Sequence, residues 1–512
     1  MMAGLPARGW NRQSRPVRHR RPRASVGWAA CLCALGLSGC AVGPDYKPPP
    51  TPVPAQWTTE ALPRSTAGLG LAGARAQNFA ADAEVPGAWW TVFGSTSLDR
   101  LVDQALQNSP TVAAAEAALR VAQELAAAQR GAWLPSVDAS YTPVRARSPD
   151  VLSAPLNSGA SVYSLHTASV NVGYAVDVFG GTRRAIESQD AQADAQRWQL
   201  RAARLALAGN VVATVLQEAS LREQLGATQR LSAIAERQWS LLQAQRRLGA
   251  VAGAAVLAQE VLWRQAEAAA AVLRKQLAQQ HDQLAALVGT PPAGFVAPAL
   301  ALADLRLPDV PVALPGRVVS QRPDVRAAEA QLRAANAQVG VAVANLLPQI
   351  SLGAGYGASA EAFSQLLRSG NVLWSLSAGV TQPIFQGGTL LHRKRAAEAQ
   401  VEQALAQYRA TVLIAFQNVA DALEAVRHDA DQQVAALKQL RAAEASLKAA
   451  QRQVALGDIS GLTMLNAESA MLQSALAQTQ AQAGRFSDVV AVYQALGGSW
   501  PSDEAALAAG SK

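Results

Sequence analysis

Residues able to do enzyme chemistry are sparse in this chain of 512 residues. A His-Glu-x-x-His pair would hold zinc on one helix face, a Gly-x-Ser-x-Gly elbow would aim a serine, and a glycine-rich loop ending in Lys-Ser or Lys-Thr would cradle phosphate. None of these strings occurs. His166, His281, His392 and His428 stand singly, so each reads as a surface residue rather than a ligand or base. One thiol has a defined context: Cys40 follows Leu37, Ser38 and Gly39. The chemistry to expect is a modification of that sulfur, with no catalytic residue, cofactor or metal belonging to the chain itself.

The elements around Cys40 explain how it would be reached. Arg8, Arg12, Arg15, Arg18, Arg20, Arg21 and Arg23 make a basic stretch, and Ala24 to Leu37 an apolar run too short to cross a bilayer. Together they read as a signal peptide over residues 1–39. Leu37-Ser38-Gly39-Cys40 resembles the lipobox of bacterial lipoproteins, whose small residues admit a dedicated signal peptidase and whose cysteine is first alkylated with diacylglycerol. Cys40 is the implied lipidation site. Removing residues 1–39 takes away seven arginines and no acid, so Lys+Arg 45 against Asp+Glu 37 becomes 38 against 37. A near-neutral mature chain without a basic patch interleaved with aromatics excludes nucleic acid as a partner. Cys31 and Cys33 leave with the signal, which excludes disulfides and cysteine-ligated metal. Behind Cys40, Pro44, Pro48, Pro49, Pro50, Pro52 and Pro54 favour an extended tether. Residues 60–85 are rich in Ala and Gly without periodicity and are expected to lie loosely on the surface.

The body of the chain is written twice. Pro110, Glu116, Leu119-Arg120 and Leu134-Pro135 match Pro323, Glu329, Leu332-Arg333 and Leu347-Pro348 at one constant spacing. Leu248-Gly249, Gly253, Leu257, Glu260 and Gly289 match Leu456-Gly457, Gly461, Leu465, Glu468 and Gly497 at another. The fold therefore has internal pseudo-symmetry.

Each copy predicts short helices, a strand pair and a very long helix. Strands are expected at Ser136 to Thr142, Ser169 to Val178, Ile350 to Gly357 and Ser375 to Thr381, where apolar residues alternate with small or polar ones. Four strands cannot close a barrel; two copies of the chain would close eight with a filled interior, and three would close twelve around an open lumen. A soluble sandwich shows the same local alternation. Small inward residues and the near absence of charge on the apolar faces favour a lipid-facing band around a lumen. No proline interrupts Thr182 to Arg247 and neither proline nor glycine interrupts Thr389 to Leu456, so each predicts a helix of about 100 Å. Free coiled coils are the alternative for these two. The preceding pairs, Gly180-Gly181 and Gly387-Gly388, lack the lysine and acid of phosphate loops and read as strand-to-helix corners. Leu248-Gly249-Ala250 and Leu456-Gly457-Asp458 end the long helices with a capping glycine, after which a helix of about 40 residues returns. Arg183, Arg184 and the run His392 to Arg395 put positive charge where the helix dipole disfavours it; lipid headgroup phosphate at the inner rim of the barrel would offset it, the alternative being a solvated helix start that tolerates the cost.

The lipobox with Ala41-Val42-Gly43-Pro44-Asp45-Tyr46 behind it, the Trp89-Trp90-Thr91-Val92-Phe93-Gly94 segment, the two Leu-Pro strand starts, Pro383-Ile384-Phe385 and the paired Leu-Gly tips resemble outer-membrane efflux lipoproteins of the OprM/NodT type, related to TolC. The resemblance runs from Cys40 to Gly498. It implies an α+β membrane protein: a homotrimer whose twelve-stranded transmembrane β-barrel, four strands per protomer, is continued by a long periplasmic α-helical barrel. Domains are then expected at 40–97 (tether and equatorial segment), 98–290 (first repeat), 291–316 (inter-repeat equatorial linker), 317–498 (second repeat) and 499–512 (tail). The implied role is a passive exit duct for drugs or other small toxic compounds. Its implied partners are a periplasmic adaptor, an inner-membrane pump of the resistance-nodulation-division class and outer-membrane lipid. By the same resemblance Leu462 and Asn466 match the apolar and acidic rings of the periplasmic aperture, with Asn in place of the usual Asp. The tips Leu248, Gly249, Ala250, Leu456, Gly457 and Asp458 would face the adaptor. A type I protein-secretion duct and a structural periplasmic coiled-coil lipoprotein are the alternatives.

Overall fold

A computed structural model describes residues 41–50, 54, 56–70, 75–81, 83, 85–149 and 160–498. The signal peptide, Cys40 and the 499–512 tail lie outside the described residues. The chain divides into two compact units: Met1–Val42, Ser136–Arg183 and Leu347–Pro383 form one, and Gly43–Pro135, Arg184–Leu346 and Ile384–Lys512 the other. In chain order the main elements are β1 (Phe79–Ala81), α1 (Thr96–Asn108), α2 (Pro110–Arg130), β2 (Ser136–Arg147), β3 (Val162–Val176), α3 (Gly181–Arg247), α4 (Gly253–Val288), β4 (Val310–Val312), α5 (Pro315–Gln321), α6 (Pro323–Ala344), β5 (Gln349–Ala360), β6 (Val372–Thr381), α7 (Thr389–Leu456) and α8 (Gly461–Ala495).

The strand unit is one antiparallel sheet in the order β2-β3-β5-β6. Its two hairpins, one from each repeat, join through β3 and β5, with Val170 opposite Tyr356 and Tyr356 opposite Trp374. From the Ile350–Val380 pair to the Ala358–Val372 pair, period-two alternation thus brings the apolar residues of all four strands to one face and mainly Ser, Thr, Gly and Asn residues to the other. Among the described residues no strand pairs with the outer edges of β2 and β6. Strand limits differ from those expected. β2 runs on to Arg147 through Pro143, which an edge strand tolerates. β3 starts at Val162 and stops at Val176, because Val178 N–H donates to the Val176 carbonyl in a turn.

The helical unit has limits close to those read from the sequence: α3 and α7 hold 67 and 68 residues and the returning α4 and α8 hold 36 and 35. Ser95 caps α1 by accepting from Leu98 N–H, and Pro110 opens α2 where its missing N–H costs nothing. The core gathers around the Trp89–Phe93 turn: Trp89 is fully buried, stacks on Tyr493 at 5.4 Å and meets Trp90 edge-on. Residues 60–85 are not loose where they are described. β1 pairs in parallel with β4, Trp57 Nε1 donates to the Ala313 carbonyl at 2.8 Å, and Gln77 is buried with Nε2 on the Pro308 carbonyl. Backbone pairing with the inter-repeat segment holds this stretch, so its own lack of periodicity was no guide. No described helix is long and apolar enough to cross a membrane.

Candidate functional site

The polar face of the sheet carries hydroxyl and amide groups that bond across neighbouring strands. Ser140 and Ser169 hydroxyls meet at 3.0 Å, Thr167 and Ser359 likewise at 3.0 Å, and Asn171 Nδ2 donates to Ser169 Oγ at 3.2 Å. Gly355 lies between Asn171 and Ser375, and a Cβ there would sit 3.0 Å from both side chains. The glycines therefore make room for the polar groups of neighbouring strands. The opposite face bears Trp374 at 76 % and Leu376 at 80 % exposure in the single chain, a contiguous apolar surface that a monomer in water rarely presents.

At the first corner Gly180 takes φ 78°, and a Cβ would meet Ala41 Cα at 2.6 Å. Gly181 is the first residue of α3. Asp177, which the alternation assigned to a strand face, leaves the strand and accepts the N–H groups of Thr182 and Arg183, each at 3.0 Å. Arg184 pairs with Asp45 at 2.6 Å and Glu187 at 2.8 Å, and its guanidinium holds the Asp45 carboxyl below the usual carboxylate range. The positive start of α3 is thus offset by the chain's own carboxylates. At the second corner Gly387 (φ 59°) and Gly388 (φ 81°) make the turn, and no side chain caps α7. Lys394 pairs with Glu398 at 2.6 Å; no ion pair among the described residues takes up Arg393 or Arg395, both exposed.

The two tips are close copies. Ala250 N–H donates to the Gln245 carbonyl and Asp458 N–H to the Gln453 carbonyl, each at 2.9 Å, around left-handed Gly249 and Gly457. Leu248 is 85 % and Leu456 77 % exposed, so neither packs back onto its own hairpin. Near the start of α8, Leu462 is half-buried and Asn466 exposed. Asn466 Oδ1 accepts from Gln238 Nε2 at 3.0 Å, and Gln238 Oε1 accepts from Gln259 Nε2 at 2.8 Å. An uncharged amide chain therefore links α8 to α3 and α4.

One polar cluster escaped the sequence reading. Arg485 on α8, 1 % exposed, donates to Gln433 Oε1 at 2.7 Å and Gln77 Oε1 at 2.5 Å. Burial lowers its guanidinium to about 10. One turn on, burial and the neighbouring Asp429 push the Asp488 carboxyl up to about 7. Only the presence of Arg485 and Asp488 inside the apolar run Phe486, Val489, Val490 could have signalled it.

The family described as outer membrane efflux protein matches residues 101–290 and again residues 314–498. This chain belongs to that family. It is 33% identical over 420 residues to the pyoverdine export outer membrane protein OpmQ of Pseudomonas putida, covering 81% of this chain and 88% of the relative. With the solvent efflux pump outer membrane protein SrpC of Pseudomonas putida it shares 31% over 471 residues, 91% of this chain and 97% of the relative. Its fold superposes on the outer-membrane channel OprN with a TM-score of 0.78 at 25% identity, over 90% of this chain and all of the other. The chain is thus an outer-membrane efflux protein with a strand unit and a long-helix unit, of a family of channels rather than enzymes.

Proposed function

We propose that three copies of the chain close a twelve-stranded barrel by pairing β2 of one protomer with β6 of the next. The barrel is the outer-membrane end of a passive exit duct. The observation that carries this reading is the sheet itself: two free edges, an apolar outer face and a hydroxyl-lined inner one, an arrangement that costs least when the edges close and lipid covers the outside. The relatives' names, pyoverdine export and solvent efflux, point to small compounds as cargo. A periplasmic adaptor contacts the exposed Leu248 and Leu456 tips, and an inner-membrane pump of the resistance-nodulation-division class supplies the energy. Leu462 and Asn466 narrow the periplasmic end, and lipid on Cys40 adds an anchor. Purified protein should migrate as a heat-sensitive trimer and conduct in planar bilayers, and deletion of its gene should raise drug accumulation. A non-conducting monomer would favour the structural lipoprotein instead. Cys40→Ala should lose fatty-acid labelling while retaining channel activity, and undiminished labelling would end the lipoprotein reading.

A further inference from the structure

The apolar face of the sheet changes character toward the β2–β3 end. From the Ile350–Val380 pair to the Tyr141–Ala168 and Ala358–Val372 pairs, no residue on this face is charged. That stretch is about 27 Å along the strands, or about 21 Å along the membrane normal at a tilt of about 40°. The height approaches the apolar band of about 25 Å that outer-membrane barrels present to lipid. Tyr356, Trp374 and Tyr141 mark its upper part, and Tyr141 Oη lies 2.8 Å from His166 Nδ1. Aromatic rings with a polar tip belong at such an interface.

Beyond the Pro143–His166 row on the same face come Arg145, opposite Ser164, and Arg147, opposite Val162. Both are exposed, and no ion pair among the described residues takes up either one. Asp138, the strand's carboxylate, points to the other face. The arginines lie about 10 and 16 Å above the Tyr141 level along the normal, within the headgroup layer. They sit two residues apart, about 7 Å along one strand, and a guanidinium binds phosphate oxygens through two parallel N–H groups.

We propose that Arg145 and Arg147 form a binding site for the phosphates of an outer-leaflet lipid, of the kind that lipopolysaccharide carries on lipid A. The inference rests on the trimeric barrel reading, which sets this face against lipid. Two fixed cations just beyond the apolar band attract anionic headgroups, and three protomers would supply six.

The test uses the full-length lipidated protein, purified and returned to phosphatidylcholine nanodiscs with or without lipopolysaccharide. Retained lipid A is counted by mass spectrometry, and trimer dissociation is followed on heated gels. Wild type should retain lipid A and dissociate at a higher temperature when it is present. Arg145→Gln with Arg147→Gln should retain about thirtyfold less and lose the lipopolysaccharide-dependent shift, yet match wild type in phosphatidylcholine alone. Phosphatase-treated lipopolysaccharide and inorganic phosphate should give neither retention nor shift. Equal retention by the double variant, or of the dephosphorylated lipid, overturns the proposal. Conductance of the same wild-type preparation judges the barrel separately: a conducting trimer with unchanged lipid retention sinks this site alone, whereas a protein that neither trimerises nor conducts sinks both.

Discussion

The two repeats share a scaffold and differ in their charges. Both turn from strand to helix through a glycine pair, both run through a helix of nearly seventy residues, and both end on an exposed leucine before a left-handed glycine. In the first repeat, however, Asp177 caps the long helix and Arg184 is enclosed by Asp45 and Glu187. The second has Pro383 and Ile384 ahead of its glycines, and among the described residues no carboxylate pairs with Arg393 or Arg395. The returning helices diverge the other way: Arg485 and Asp488 of α8 are matched at the repeat spacing by Leu277 and Gln280 of α4. Duplication has preserved what backbone geometry demands, namely apolar period and glycine positions. Charge has been free to specialise, because an ion pair needs only a partner nearby in space.

The largest test of the shared features is at the tips. Leu248→Asp with Leu456→Asp should abolish resistance in a deletion strain while leaving trimer formation and conductance intact, and each single variant should be partly impaired. Restoration of resistance by the double variant would break the equivalence of the tips as docking surfaces; failure to trimerise would assign the leucines to the core.

The corners come next. Asp177→Ala removes a helix cap and should cost about 1–2 kcal/mol in thermal unfolding. Arg393→Gln with Arg395→Gln should do the opposite in neutral detergent, stabilising by a few tenths to about 1 kcal/mol per charge. If both substitutions destabilise equally, the contrast between corners is not electrostatic.

A pH profile sharpens the difference between the returning helices. The Asp488 carboxyl binds its proton more tightly in the folded chain, at about 7, than at its ordinary 3.8. The native state therefore holds more protons than the unfolded one between about pH 4 and 7, so this residue's contribution to stability falls as pH rises through that window and levels off above it. Asp488→Asn should flatten that part of the profile, measured as trimer dissociation temperature at pH 5 and pH 8. Gln280→Ala on α4 should leave it unchanged.

The smallest expected effect is at the aperture. Asn466 is matched in the first repeat by Ala258, so any ring of side chains there comes from α8 alone. Asn466→Asp should raise cation preference in a salt gradient; identical reversal potentials for the two proteins would remove Asn466 from the pore.

Long helices were legible because their rules are local. Absence of proline, a capping glycine and a repeat of the same string located α3 and α7 to within a residue. Strand interiors were legible for the same reason, since alternation is a property of neighbours. Strand ends were not: Pro143 looks like a stop until β2 is known to be an edge, and Asp177 looks like a strand residue until the helix after it needs a cap. Leu462 and Asn466 were singled out only through family likeness, and nothing near Asn466 in sequence foretells its bond to Gln238.

By itself, then, the amino-acid order determined the duplication, the length of the helices, the two-faced strands and the absence of any catalytic string, because each depends on spacing within one stretch of chain. Tertiary structure alone decided that β3 of one repeat pairs with β5 of the other, that residues near Phe79 are held by Val310–Val312, and that Arg485 reaches Gln77 and Gln433. These contacts join residues far apart along the chain, and their free energy comes from removing both partners from water together, which no local pattern records.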